Sequence, residues 1–380
     1  MKALIVSLGL ILLTPSVNAE ENWIFSQRIP VTTEAKEGVF HHLEGAGRKH
    51  IALSENTLAV VWEDDHSGAP QIYLTHKTTD SKQFSAIQQL STGKEAYEPA
   101  LTGLSGNRFV MVWEQDGGVY VRAHKNQQLS AQIKLSQAPA SHASITSLGN
   151  SAFAVWREQR SAGWSLWVAE IDVSADGQLM LKSSNRVEQK DLQQAVLFPA
   201  IAANQSGLIV AWEDRRAGHT RLNYSFSDNQ GLSFSEPAYL NEFYSNRNQY
   251  DKGSGVTRVA IGSFAEKEFL AAWMDKRRGN NGYGIFAAQA YEGSFGPDEK
   301  VHSEQGDELA HNNPAVGGNL RGDFVVGWDD FRSGDADIWI SRYNEEGVWS
   351  EDISPAPASG SGEQTHVAVA LDEQGGLHLL

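Results

Sequence analysis

Four histidines stand next to short apolar runs of this chain. His50 and His366 directly precede one, and His142 and His311 lie within a few residues of one. Imidazoles gathered at one place can act as general bases or hold a metal, yet no two of these have a short metal-ligand spacing. The stretch NEFYSNRNQYDKGSGVTR, from Asn241 to Arg258, carries Tyr244, Arg247, Tyr250, Asp251 and Arg258. Such a mixture suits hydrogen bonding to a sugar and stacking on its ring. Tyr250, Arg258, His311 and His366 are therefore the candidate catalytic residues. Tyr244, Arg247, Asp251, His50, His142, Tyr97 and Glu98 are the candidate substrate-binding residues. Tyr97 and Glu98 belong to KEAYEPA, and FHHLEGAGRKH adds His41, His42, Glu44 and Arg48. The structural alternatives are a solvated insertion at 241–258, unrelated surface histidines, and turns or loops at the other two stretches.

A second set of charged residues recurs too regularly to be a single site. An acidic residue two positions after a Trp and an Arg four positions after it give Glu158 and Arg160, Asp214 and Arg216, Asp275 and Arg277, and Asp330 and Arg332. On an extended strand this spacing puts all three on one face, where carboxylate and guanidinium can pair over the following turn. Catalysis needs groups that converge once on one substrate, so a pair repeated along the chain reads as structural.

These residues are positioned by a repeat. FVVGWDDFRSGDADIWI from Phe324 has relatives starting at Leu58, Phe109, Phe153, Leu208 and Phe269, built around Trp62, Trp113, Trp156, Trp212, Trp273 and Trp328. The Trp spacings are 51, 43, 56, 61 and 55 residues. A period of this length containing several short strands predicts β-propeller blades. In the fourth copy, PAIAAN, GLIVAW, TRLNYSFS and SFSEPAYL read as strands one to four. NWIFSQRIPVTT has the form of an outer strand, and THVAVALDEQGGLHLL that of a first and second strand. The expected fold is all-β: a propeller of four-stranded antiparallel blades, with seven blades of which the last is incomplete at Leu380, or alternatively six. The expected blades span about 48–91, 97–136, 142–188, 198–240, 257–302, 313–354 and 365–380, the last completed by 22–32.

Composition narrows the partners. Of 380 residues 41% are apolar, enough for a sizeable core, and there is no Cys, so no disulfide contributes. A net charge of −16 argues against a nucleic-acid partner, which needs a basic surface. MKALIVSLGLILLTPSVNA reads as a secretory signal cut after Ala19, with a secreted or periplasmic domain at 20–380. No later apolar run approaches the roughly 18 residues of a transmembrane helix.

Two turn sequences, SDNQGLSF from Ser227 and NEEGVW from Asn344, resemble the Asp box S-x-D-x-G-x-T-W, with Asn229 at the Asp position. Gly231 would supply the positive φ, and Phe234 or Trp349 would plug the space between sheets. The chain thus resembles the sialidase-like propeller superfamily. That family clamps a substrate carboxylate with Arg groups, attacks with a Tyr activated by a Glu, and uses an Asp as acid and base. The resemblance implies Arg258 as a clamp arm, Tyr250 as nucleophile, and Glu34 or Glu37 near the acid position. The family's Arg-Ile-Pro motif occurs as Arg28-Ile29-Pro30, on an expected outer strand where the family has it on an inner one. No motif assigns a third Arg or the Glu partner of the Tyr.

The reading is an exported, monomeric sialidase-like propeller that binds or processes extracellular glycan. A non-catalytic scaffold for proteins and a propeller polysaccharide lyase acting on acidic glycans are the alternatives. No cofactor is expected. A metal held by mouth histidines or carboxylates is the alternative on that point.

Overall fold

The computed structural model describes residues 23–32, 41–42, 49–160, 163–188, 196–216, 220–241, 255–277, 282–303, 309–344 and 346–380. Tyr244, Arg247, Tyr250 and Asp251, the leader at 1–19, Glu34, Glu37, Glu44 and Arg48 lie outside them.

The protein is an all-β propeller whose antiparallel sheets follow one another around a ring. Blade 2 shows the plan. Ala96–Leu104 is innermost, Arg108–Gln115 second and Gly118–Lys125 third, and the short Gln128–Leu129 and Ile133–Lys134 lie outermost. Blades 3, 4 and 5 repeat the four-strand order, with innermost strands Ala140–Leu148, Val196–Asn204 and Val256–Phe264. Blade 6 has three laddered strands from His311–Gly318 outward, and single bridges from Ile353 and Trp349 complete its outer side. Val369–Leu371 and Leu377–Leu379 form a two-stranded seventh sheet. It joins the ring's two ends: Ala368, Ala370 and Leu380 pack on Ile51, Val60 and Trp62 of blade 1.

Burial explains why the repeat is written around Trp. The second-strand Trp113, Trp156, Trp212, Trp273 and Trp328 are fully buried between neighbouring sheets. Each removes about 150–250 Å² from water, or about 4–6 kcal/mol at 25 cal/mol/Å². Toward the hub the blades converge and side chains shrink to Ala100, Ala200, Ala260, Ala315 and Ala368. The limit is reached at Gly103, where an added Cβ would lie 1.9 Å from the Leu53 carbonyl oxygen of the preceding blade.

Two expectations are corrected. Residues 23–32 form no strand: Trp23 and Phe25 pack by side chains against the cluster shared by blade 6 and the seventh sheet, and Val31 against that shared by blade 1 and the seventh sheet. Pro30 lacks the N–H that a ladder needs. The innermost strand of blade 1 is also split, into His41–His42, which pairs with Glu63 and Asp64, and Ile51–Ser54. In blade 2 the matching register break, Tyr97 to Ala100, spans two residues. In blade 1 seven positions of sequence, 43–49, lie between His42 and His50, so FHHLEGAGRKH contributes strand pairing at His41–His42.

Candidate functional site at the channel mouth

Each innermost strand begins at one end of the ring, and each second strand returns to that end. Just inside this mouth the ladder slips in every blade from 2 to 6: at Tyr97/Ala100, Ser141/Ser144, Leu197/Ala200, Thr257/Ala260 and Asn312/Ala315. The slip forces one residue per blade into the left-handed region. These are Glu98 (φ 52°), His142 (55°), Phe198 (49°), Arg258 (60°) and Asn313 (51°), with His366 (61°) ahead of the seventh sheet. Left-handed backbone costs an ordinary residue about 1–2 kcal/mol. The bulge recurs, so it is architecture. What varies is the side chain: carboxylate, imidazole, phenyl, guanidinium, amide, imidazole.

The position is held from the neighbouring blade. The residue directly after the Trp is Glu63, Glu114, Glu213 or Asp329 in blades 1, 2, 4 and 6. Its carboxylate accepts the backbone N–H of the bulge residue in the following blade: Glu98 at 3.1 Å, His142 at 2.6 Å, Arg258 at 2.9 Å and His366 at 2.8 Å. Glu213 also accepts the Thr257 hydroxyl at 2.5 Å, and Asp329 the Asn313 amide at 2.8 Å. Burial pushes the Asp329 carboxyl above its usual range, opposed by the Asn313 amide and by His366.

Blades 3 and 5 break the rule, with Arg157 and Met274 in the acidic place. Across this break the side chains take over. The Phe198 N–H donates to Nδ1 of His142 at 3.1 Å, and the two rings stack at 4.3 Å and 6°. On Phe198 also lies the Arg258 guanidinium, 4.1 Å from the ring centroid. Arg157 turns aside, donating to the Ser141 hydroxyl at 2.7 Å and covering Trp164. Consecutive blades 3, 4 and 5 thus present a stacked imidazole, phenyl and guanidinium at the mouth, all three part-exposed. An aromatic-backed guanidinium keeps its donor edge in the plane of the group, the geometry that meets a carboxylate. Among the described residues no group of three or more His, Asp or Glu is arranged to hold a metal ion.

Several candidates lie elsewhere. His311 is fully buried, with Nδ1 3.1 Å from Asp330 Oδ2 and its ring 4.1 Å from that of His302, because it starts the strand before the bulge. His50 is 1% exposed, with Nδ1 3.3 Å from the Val61 carbonyl, because it occupies the hub place that blades 2, 4, 5 and 6 fill with Ala and blade 3 with Ser144. Neither faces the mouth as expected. Tyr97 is exposed, but its hydroxyl donates to Glu95 at 2.7 Å. That bond, with burial and charge adding to it, pushes its pKa up to about 12, unfavourable for a nucleophile. His142, Arg258, His366 and Glu98 do share the ring of bulge residues. Phe198, Asn313 and the four carboxylates escaped the sequence reading. The signal for the bulge residues was a variable residue before a Pro-Ala, Val-Ala or, in blade 3, Ala-Ser step, and that for the carboxylates was their place directly after the Trp.

The repeated acid and Arg pairs lie nearby over the second-to-third-strand turns. Arg277 donates to Asp275 at 2.9 Å and Asp298 at 2.7 Å, and Arg332 to Asp330 at 3.0 Å and Asp352 at 2.6 Å. Arg160 meets Glu158 at 2.6 Å, and Arg216 meets Asp214. Arg277 covers Phe286, and Arg332 covers Trp339. Trp328 Nε1 donates to Asp330 at 3.0 Å. Burial acts to raise the Asp330 carboxyl, but bonds from His311 and Arg332 hold it well below the carboxylate range.

No family model and no curated protein matches the sequence. Solved structures do resemble it in fold. Kuenenia stuttgartiensis hydrazine synthase has a TM-score of 0.55 at 11% identity over 91% of this chain and 99% of that one. The leech intramolecular trans-sialidase has 0.51 at 10% over 84% and 71%. A Dyadobacter fermentans protein of unknown function has 0.51 at 10% over 78% and 94%. Proteins so different in name share these blades, so fold does not choose the chemistry. At the level of fold the chain is similar to these structures, the leech trans-sialidase among them.

Proposed function

We propose that this propeller is an exported glycan-binding protein whose channel mouth receives an acidic sugar. The observation that carries the reading is the His142–Phe198–Arg258 stack, which stands where the carboxylate support between blades is interrupted. A carboxylate would meet the Arg258 guanidinium, a charge-assisted bidentate contact. Sugar hydroxyls would meet Glu98, Asn313 and His366 around the same rim. Against a net charge of −16, a local cation is what lets an anionic ligand approach. Export rests on the leader-like first 19 residues, and no described helix is long and apolar enough to cross a membrane.

The test is calorimetric titration of the full chain with uronic-acid and sialic-acid oligosaccharides, with mass spectrometry of the same samples. Binding that weakens about 10–100-fold in Arg258→Ala, as loss of a charged hydrogen bond implies, supports the reading. Equal affinity for acidic and neutral oligosaccharides, untouched by Arg258→Ala, overturns it. New reducing ends in the mixture would make the mouth an active site.

A further inference from the structure

The interface between blades 5 and 6 departs from the others at one position. Opposite the residue before each Trp, the third strand carries Leu74, Val121, Val168, Tyr224 and Ile340 in blades 1 to 4 and 6. Each belongs to a cluster shared with the following blade or packs against one. Blade 5 has Ala287 there. The outer edge of the same blade is irregular too. Its register jumps from Ala288 paired with Asp298 to Ala290 paired with Phe295, carrying Gly296 and Pro297 outward. The volume left unfilled is a groove of about 440 Å³, lined among others by Gln289, Tyr291, Glu299, Tyr343 and Trp349. A Cβ on Gly296 would meet only the Gln289 carbonyl oxygen, at 3.7 Å.

Its wall is hydrogen-bonded internally. The Tyr343 hydroxyl donates to Gln289 Oε1 at 3.0 Å, and Gln289 Nε2 donates to Glu268 Oε2 at 2.6 Å. These two donors are thereby engaged within the wall, and the exposed Glu299 carboxylate stands at the groove as an acceptor. Trp349 is held 4.9 Å from Tyr343, and Tyr291 is 56% exposed. Aromatic surface beside several acceptors is complementary to a pyranose, which has an apolar face and a ring of hydroxyl donors. Two carboxylates at one wall repel an anion.

We propose that this groove is a binding site for a neutral sugar residue, its hydroxyls donating to Glu299 and its face resting on Trp349 or Tyr291. The site lies at the far end of the third strands from the channel mouth, so it stands or falls independently of the acidic-sugar reading. Ala287 opens it, and the hydrogen-bonded Tyr343–Gln289–Glu268 chain keeps its wall in place.

The test uses the full chain and neutral methyl glycosides of glucose, galactose and mannose, followed by saturation-transfer NMR and calorimetry. Ala287→Leu restores the side chain blade 1 uses, and Glu299→Ala removes the exposed acceptor without touching the core. Binding of at least one glycoside, weakened about tenfold or more by either change and unaffected by Arg258→Ala, is the expected result. Should Ala287→Leu fail to fold by circular dichroism, Glu299→Ala decides alone. No binding, binding indifferent to both changes, or uptake of butylammonium in place of the glycosides would each overturn the proposal.

Discussion

His142 and Phe198 are joined twice across the gap between blades 3 and 4: their rings stack at 4.3 Å, and the Phe198 N–H donates to His142 Nδ1 at 3.1 Å. An acceptor nitrogen cannot carry a proton, so neutral His142 holds its proton on Nε2. Nitrogen-15 shifts of the ring should report that tautomer at pH 7.5. His142→Ala leaves the Phe198 N–H without its partner and should cost about 1–3 kcal/mol in chemical denaturation. Nδ1–H in the spectrum would remove the bond.

Arg258 rests on Phe198, so its charge and its aromatic backing can be separated by substitution. Arg258→Lys keeps charge but loses the planar fork, and should weaken acidic-sugar binding nearly as much as Arg258→Ala. Phe198→Leu should weaken it less, because it removes backing and not charge. Titration of the three variants at one salt concentration compares them. Full affinity in Arg258→Lys would show that charge alone suffices.

Glu213 is fully buried and gathers the Thr257 hydroxyl, the Arg258 N–H and, at 3.3 Å, Arg215. Glu213→Ala leaves the part-buried Thr257 hydroxyl and Arg258 N–H without their acceptor, and a loss of about 1–3 kcal/mol is expected. Thermal unfolding beside an exposed control, Glu346→Ala, measures it. A loss equal to the control's would mean that the carboxylate is dispensable.

Acid should loosen the contact between blades 1 and 2. His124 is buried 4.9 Å from the His76 ring, and burial, with His76 adding to it, pushes its pKa down from 6.5 to about 4. The unfolded chain takes up the proton first, so stability is full above about pH 6.5 and declines as pH falls toward about 4. Between pH 7.5 and 5 this group should account for about 1–2 kcal/mol. His124→Phe should flatten the pH dependence of the unfolding free energy by that amount. An unchanged slope would place the acid sensitivity elsewhere.

The repeat was legible because each buried Trp sits at a fixed place in a short apolar run, and burial between sheets selects large apolar residues at a fixed period. The acid and Arg spacing was legible for the same reason: two residues apart on an extended chain means one face. The mouth was not. His311 and His366 look alike in the sequence, each near an innermost strand, yet one begins the strand and is buried while the other stands at the turn into the ring. A shift of a few residues relative to the bulge separates them, and hydrophobic pattern does not mark a bulge.

The sequence by itself therefore determined the blade period, the all-β class and the residues that hold each blade together, since these depend on neighbours along the chain. Only the tertiary structure decided which side chains meet. His142, Phe198 and Arg258 are 56 and 60 residues apart. They come into contact because a left-handed residue in each of three converging strands turns toward the same mouth, and ring closure brings those strands together.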